Sequence, residues 1–156
     1  MISKRTNDPT ANYLDRCREL IAKHGHMVQV VGAEATMPAY AYTAGLTTTF
    51  GFELVIFGMS FDMATMFLNG VAKRLKEAPV GDGADITGVA NVPLRLQTFR
   101  FDPDEHRLGV ALRLGYTPNH IRIVQWPDKA GAYPGSPAYR ALISQSFDDG
   151  QTAARH

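Results

Sequence analysis

A small set of polar residues has the side chains that acid–base chemistry or ligand binding requires. Tyr42 and Thr43 supply hydroxyls just before Gly45, where a backbone without a side chain lets a ligand approach closely. Asp128 follows an apolar segment, and the loop after a strand often carries functional groups. His26 is a candidate general base because imidazole titrates near neutral pH. We therefore predict a site with the catalytic candidates His26, Tyr42 and Asp128 and the ligand-binding candidates Thr43, Gly45, Glu53, Gln125 and Trp126.

The same residues also have structural interpretations. Tyr42 is equally consistent with a half-buried tyrosine that bonds a neighbour, and Pro127–Asp128 with a simple turn. Glu53 begins the most hydrophobic strand candidate, where a carboxylate either pairs with a base or has its pKa raised by desolvation. Pairing with a base such as Arg95 is the state that the sequence favours.

Signatures of well-known mechanisms are missing from the sequence. The glycine-rich segment 79–88 matches neither a Walker loop, a dinucleotide fingerprint nor an EF-hand. There is no G-x-S-x-G elbow, and Cys17 is the single cysteine and has no recognisable histidine partner. His24 and His26 flank Gly25 and lack the four-residue spacing that places two ligands on one helix face. We therefore predict no metal and no cofactor, and the sequence leaves open whether the chain is an enzyme.

Composition bounds the class of protein and its partners. The 156 residues, 45% hydrophobic and 20% charged, are typical of one folded domain. The net charge of +1 and the absence of a basic stripe argue against nucleic acid as a partner. No segment approaches the roughly 20 apolar residues of a membrane span, which predicts no membrane partner. One cysteine and no signal peptide predict a cytoplasmic location.

Three helices are expected from apolar spacing and from helix-end signals. The first ends at the left-handed cap Gly25, and the second runs from the cap Ser60 to about Ala78. The third opens at Asp102, where Glu105 completes a capping box, and it ends near Gly115. The apolar side chains of the first two helices are predicted to face the core; they are Leu14, Cys17, Leu20 and Ile21, and Met63, Met66, Phe67, Val71 and Leu75.

The strands and the helices together predict the fold class. The order of elements lacks the regular alternation of a doubly wound sheet, so we expect an α+β domain with a mixed, mostly antiparallel sheet and about three helices. We place a flexible arm at 1–9, the domain at 10–147 and a flexible tail at 148–156, with a short helix at 138–144. The strand candidates are 27–31, 40–46, 53–57, 92–99 and 121–126.

Three ordered sequence blocks resemble those of a bacterial family, domain of unknown function 4262. They are Ala-Tyr-Thr-Ala-Gly-Leu at 41–46, Phe-Gly-Phe-Glu-Leu-Val-Ile-Phe-Gly at 50–58, and Gln-Trp-Pro-Asp at 125–128 with Gly131 and Tyr133-Pro134. The resemblance covers about residues 12 to 137. It departs from the family pattern at Phe52-Glu53, where the family has His-Pro-Glu, and at Gly135, where the family has tryptophan. The resemblance supports the fold and the site location and implies no reaction.

Two functions from different classes fit these observations. The first is a small-molecule site, binding or enzymatic, at the strand ends that carry Tyr42, Thr43 and the segment 125–128. The second is a non-catalytic interaction module or homodimer, because aromatic residues with few charges are typical of interface centres. Its candidate surface combines the proline-rich tail with Tyr40, Tyr133, Tyr139 and Phe147. The polar blocks at strand ends favour the first function.

Overall fold

Five strands and four helices make up the part of the chain that the computed structural model describes, residues 8–140 and 145–147. The predicted α+β class is confirmed. In chain order the elements are α1 (Pro9–His24), β1 (Met27–Val31), β2 (Tyr40–Ala44), α2 (Leu46–Phe50), β3 (Phe52–Phe57), α3 (Phe61–Glu77), β4 (Arg95–Arg100), α4 (Gly109–Arg113) and β5 (His120–Gln125).

The strands form one mixed sheet in the order β1-β2-β3-β5-β4. All neighbouring pairs are antiparallel except β3 and β5, which run parallel. The end of β2 therefore lies beside the start of β3, whereas the end of β5 lies beside the end of β3. This arrangement decides which of the predicted site residues can meet.

Alternation along the strands gives the sheet two apolar faces. On one face α3 packs through Phe67, Leu68 and Val71 against Leu54 and Ile56 of β3. On the other face α1 and α4 contribute Cys17 and Ala111 to a cluster with the remaining inward residues of β3 and β5. Because helices cover both faces, β3 is apolar on both sides, as its continuous hydrophobic sequence predicts.

The ends of α1 and α3 follow the predicted signals. Gly25 ends α1 in the left-handed conformation, with a φ of 89°, and its N–H donates to the Ile21 carbonyl. Ser60 caps α3, its hydroxyl accepting the Met63 N–H at 3.2 Å. Apolar spacing over at least about two turns and one capping residue were enough to identify each helix in the sequence.

The predicted helix from Asp102 to Gly115 is wrong in its first half. The Asp102 N–H donates to Nδ1 of His106 at 2.9 Å instead of to a Glu105 side chain, so no capping box forms. The His106 ring is buried beside Phe101 and Phe147. This buried contact holds the segment as a turn, and only the last five residues before Leu114, α4, are helical.

Three apolar side chains that the sequence places in the core are exposed instead. Leu20 of α1 is 45% exposed, and Met63 and Met66 of α3 are 45% and 56% exposed. The core face of α3 includes the predicted Phe67, Val71 and Leu75, together with Ala64, Leu68 and Ala72. Apolar spacing therefore identified the helix correctly and placed two exposed methionines on its inward face.

Several boundaries of the predicted domain stay predictions. Most of the N-terminal arm, the C-terminal tail 148–156 and residues 141–144 of the short helix lie outside the described residues. The segment between the strand candidates 40–46 and 53–57, which the sequence indicates as a turn, contains the short helix α2, and β4 begins at Arg95 instead of Val92. Leu94, just before β4, pairs with Ile86 through an isolated bridge.

Candidate functional site

Glu53, Thr43 and Gly45 meet where β2 ends and β3 begins. The Glu53 carboxylate is fully buried and accepts a hydrogen bond from the Thr43 hydroxyl at 2.7 Å. It also accepts the backbone N–H groups of Gly45 at 3.1 Å, Leu46 at 3.2 Å and Thr47 at 2.9 Å, and the Thr47 hydroxyl at 2.5 Å. These N–H groups open α2 and have no partners within the helix, so Glu53 serves as their cap.

The predicted ion pair between Glu53 and Arg95 is wrong. Arg95 pairs with Asp85 at 2.8 Å on an exposed surface. Burial raises the pKa of Glu53, and the hydrogen bonds from Thr47, Thr43 and Gly45 oppose that rise. With five donors on its two oxygens, the carboxylate has no free acceptor position directed at a ligand.

Tyr42 lies on the opposite face of the sheet from Thr43, because successive strand residues point to opposite sides. Its ring is 1% exposed, and its hydroxyl accepts the Val110 N–H at 2.9 Å. Burial raises the pKa of Tyr42 well above its usual value. Tyr40 donates to the Arg107 carbonyl at 2.7 Å, so two tyrosines of β2 fasten the segment that leads into α4.

Gln125, Trp126 and Asp128 lie at the other end of the sheet. The Gln125 amide donates to Gln97 at 2.7 Å, and the Trp126 indole N–H donates to the Phe57 carbonyl at 3.1 Å. Asp128 accepts the backbone N–H groups of Ala130 at 3.0 Å, Ala132 at 2.9 Å and Arg140 at 2.8 Å. The hydrogen bond from the Ala132 backbone, then that from Arg140, lowers the pKa of Asp128.

The predicted strand-end residues therefore form two separate groups. Glu53 pairs with Ile121 in the ladder between β3 and β5, so it lies four residues, about 13 Å, from the end of β5 that carries Gln125. Tyr42 is on the opposite face from Thr43. The structure brings together Thr43, Gly45 and Glu53. Gln125, Trp126 and Asp128 lie at the other end of the sheet, where each bonds a different partner, so the predicted residues do not share one pocket.

His26, the remaining candidate, lies in a groove of about 500 Å³ between α1, the start of β1 and α3. Leu20 and His24 of α1 form one wall, and Thr65 and Asn69 of α3 form the other. Met27 and Val28 supply an apolar floor. We call this space the His26 groove. Its volume lies within the range of known small-molecule sites.

A single hydrogen bond fixes the imidazole in this groove. Nε2 of His26 lies 2.8 Å from Oδ1 of Asn69, and because that oxygen only accepts, Nε2 carries the proton. Nδ1 is buried and has no hydrogen-bond partner among the described residues. Burial lowers the pKa of His26, and the Asn69 hydrogen bond opposes this shift. The ring is therefore neutral at pH 7, with one acceptor nitrogen unused.

Sequence reasoning found His26 and missed its surroundings. Thr65 and Asn69 stand four residues apart, which places them on one face of α3. That spacing was readable in the sequence, but nothing in the sequence shows that this face meets the last turn of α1. The exposed side chain of Leu20 lines the same groove.

The described part of the chain contains neither a metal-binding cluster nor a membrane-spanning helix. Within residues 8–140 and 145–147, no three His, Cys, Asp or Glu side chains are grouped closely enough to hold a metal ion. In the same residues no helix combines the length and apolarity that crossing a membrane requires.

The aromatic side chains of the predicted interaction surface make contacts within the chain. Tyr133 donates to the Pro93 carbonyl at 2.6 Å, and its ring lies 3.9 Å from the Arg95 guanidinium. Tyr139 accepts from Gln145, and Phe147 packs against other aromatic rings. The homodimer stays a prediction that these contacts do not support.

Comparison with known proteins gives a family and nothing further. Residues 20–140 match the family model described as DUF4262, a domain of unknown function. No curated protein and no solved structure matches the chain.

Proposed function

The chain belongs to the DUF4262 family, whose description gives no activity, and from its geometry we propose that it binds a small organic molecule in the His26 groove. The observation that carries this proposal is the composition of the groove walls. Apolar Leu20, Met27 and Val28 surround one polar pair, His26 with Asn69. Mostly apolar concavities with a few fixed polar groups are characteristic of small-molecule sites.

The other predicted site residues favour a structural interpretation, which strengthens the case for the groove by contrast. Glu53 accepts hydrogen bonds from the backbone at the start of α2, and Asp128 accepts them from the backbone of the loop that runs to Arg140. Both carboxylates therefore have hydrogen-bond donors from the chain itself and do not need a ligand to supply one. His26 differs because its Nδ1 is unpaired among the described residues, and a buried polar atom without a partner costs about 1 to 3 kcal/mol.

The role proposed for His26 is to orient the ligand. Without a ligand, Nε2 of the His26 ring is hydrogen-bonded to Asn69. If the ring rotates about its Cβ–Cγ bond, one of its nitrogens can hydrogen-bond to a ligand in place of the Asn69 side-chain amide. A neutral imidazole both donates and accepts, so it suits a hydroxyl, carboxyl or amide group. The apolar walls would then contact the body of the ligand.

A groove-filling substitution tests the proposal. Thr65→Trp places an indole in the space that the ligand requires, and we expect it to weaken fragment binding by about tenfold or more, which is 1.4 kcal/mol. Binding is measured by ligand-observed NMR with a library of small organic fragments, and folding of each variant by thermal unfolding.

Thr48→Trp is the matched control. Thr48 is an exposed threonine of the short helix α2 and does not line the groove, so this variant should bind fragments as the wild type does. If no fragment binds the wild type, or if Thr65→Trp binds as well as Thr48→Trp, the groove is not the site.

A further inference from the structure

A lysine ammonium lies beside the turn that carries His26. Lys76 follows Asn69 by seven residues, two turns of α3, so it continues the same face of that helix. A Cβ built on Gly25 would lie 3.4 Å from Lys76 Nζ, which places the ammonium at the end of α1 beside His24. The Lys76 ammonium of α3 and the His24 imidazole of α1 therefore both lie next to the turn that carries His26, and His24 lines the groove.

The Lys76 ammonium lacks an acidic counterpart at the groove. Lys76 makes no ion pair or hydrogen bond with another described residue. Among the described residues that line the groove, none is Asp or Glu. After burial, the charges of Lys76 and His24 are what lower the pKa of His26. The groove thus combines an apolar floor with the nearby Lys76 ammonium.

Lys76 also has a structural use, which must be separated from ligand binding. The carbonyl end of α1 carries the negative end of the helix dipole, and a nearby cation stabilises it by about 0.3 to 1 kcal/mol at an exposed position. That interaction does not require an apolar groove beside the ammonium. The ammonium and the apolar groove next to each other are what point to a ligand.

We infer that the ligand of the His26 groove is an amphipathic monoanion, with its apolar chain against Leu20, Met27 and Val28 and its carboxylate between Lys76 and His24. This inference rests on the proposed function and adds the chemical class of the ligand. Exposed charge pairs contribute modestly, and the apolar surface supplies the larger part of the affinity. Lys76 therefore selects an anion over a neutral molecule of the same length.

Two probes of equal chain length separate the charge from the apolar contact. Sodium decanoate and 1-decanol are titrated into the full chain below their aggregation limits, at low ionic strength, and followed by isothermal calorimetry. We expect decanoate to bind more tightly than decanol. Lys76→Gln should weaken decanoate by about threefold to fivefold, the size of an exposed ion pair, and leave decanol unchanged.

Lys129→Gln is the charge-matched control. Lys129 lies in the loop after β5, at the opposite end of the sheet from the groove, and its replacement changes the net charge equally. Decanoate should bind this variant as tightly as it binds the wild type. An equal loss in both variants would mean that only overall charge matters, which overturns the inference.

The remaining outcomes distinguish the inference from the function beneath it. If decanol binds as tightly as decanoate and Thr65→Trp blocks both, the groove binds apolar molecules and the anion preference is wrong. If neither probe binds the wild type, and the fragment library does not bind either, the proposed function itself fails.

Discussion

At the residue scale, Glu53 shows how a buried carboxylate can organise the backbone without any ligand. Its oxygens receive hydrogen bonds from three consecutive N–H groups, those of Gly45, Leu46 and Thr47. The same carboxylate bonds the hydroxyls of Thr43 and Thr47. Because the donors belong to β2 and to the start of α2, while Glu53 itself belongs to β3, this carboxylate fixes the corner from β2 into α2 and back into β3.

Replacing this acid by its amide tests that role. In Glu53→Gln the new NH₂ group faces donors where an acceptor is required, so we expect the free energy of unfolding to fall by about 2 to 4 kcal/mol. Urea denaturation of the wild type and the variant measures the change. Glu77→Gln is the control, because Glu77 is exposed and its ion pair with Arg74, at 3.5 Å, is also exposed; its effect should stay below about 0.5 kcal/mol. Equal effects would contradict the capping role.

At the element scale, two turns pack closely enough to require glycine. Gly45 adopts a φ of 114°, which side-chain-bearing residues rarely adopt. A Cβ at this position would lie 2.9 Å from the Gly25 carbonyl oxygen and 3.1 Å from the His26 Cα. The turn from α1 to β1 therefore rests on the turn from β2 to α2, and this contact positions His26 at the groove.

Gly45→Ala should consequently cost at least about 2 kcal/mol of unfolding free energy, since strain and a backbone clash add together. The contrasting substitution is Gly32→Ala, where a Cβ meets open space and φ is not positive. It should change stability by no more than about 0.5 to 1 kcal/mol, in the stabilising direction. Thermal unfolding of both variants measures the difference, and a neutral Gly45→Ala would show that the two turns are not in tight contact.

The elements themselves were largely readable from the sequence, and their orientation was not. Apolar spacing and caps identify α1 and α3, and continuous hydrophobicity identifies β3. The inward face of α3 was partly misjudged because Met63 and Met66 are apolar and exposed, while the small Ala64 and Ala72 are buried. The turn at Asp102 was misjudged because a buried ring, His106, satisfies the N–H that a capping box would have used.

At the scale of the whole molecule, the site depends on which surfaces the fold brings together. A sequence can indicate that a carboxylate lies at the start or just after the end of a strand, but it does not show how many backbone donors surround that carboxylate once the chain is folded. Glu53 and Asp128 were candidates for that reason, and both bond their own loops. Leu20 and Asn69 are far apart in the sequence, and only the packing of α1 and α3 around β1 makes them walls of one groove.

The measurement that tests the His26 groove most directly is NMR of the isotopically labelled chain at pH 7 during a decanoate titration. We predict that the His26 imidazole signals and the Asn69 side-chain amide signals shift together and saturate, and that Thr65→Trp removes both shifts. The backbone amide signals of Ala130 and Ala132, which donate to Asp128, should stay unchanged. Unchanged His26 signals, or saturating shifts confined to the Asp128 loop, would contradict the account.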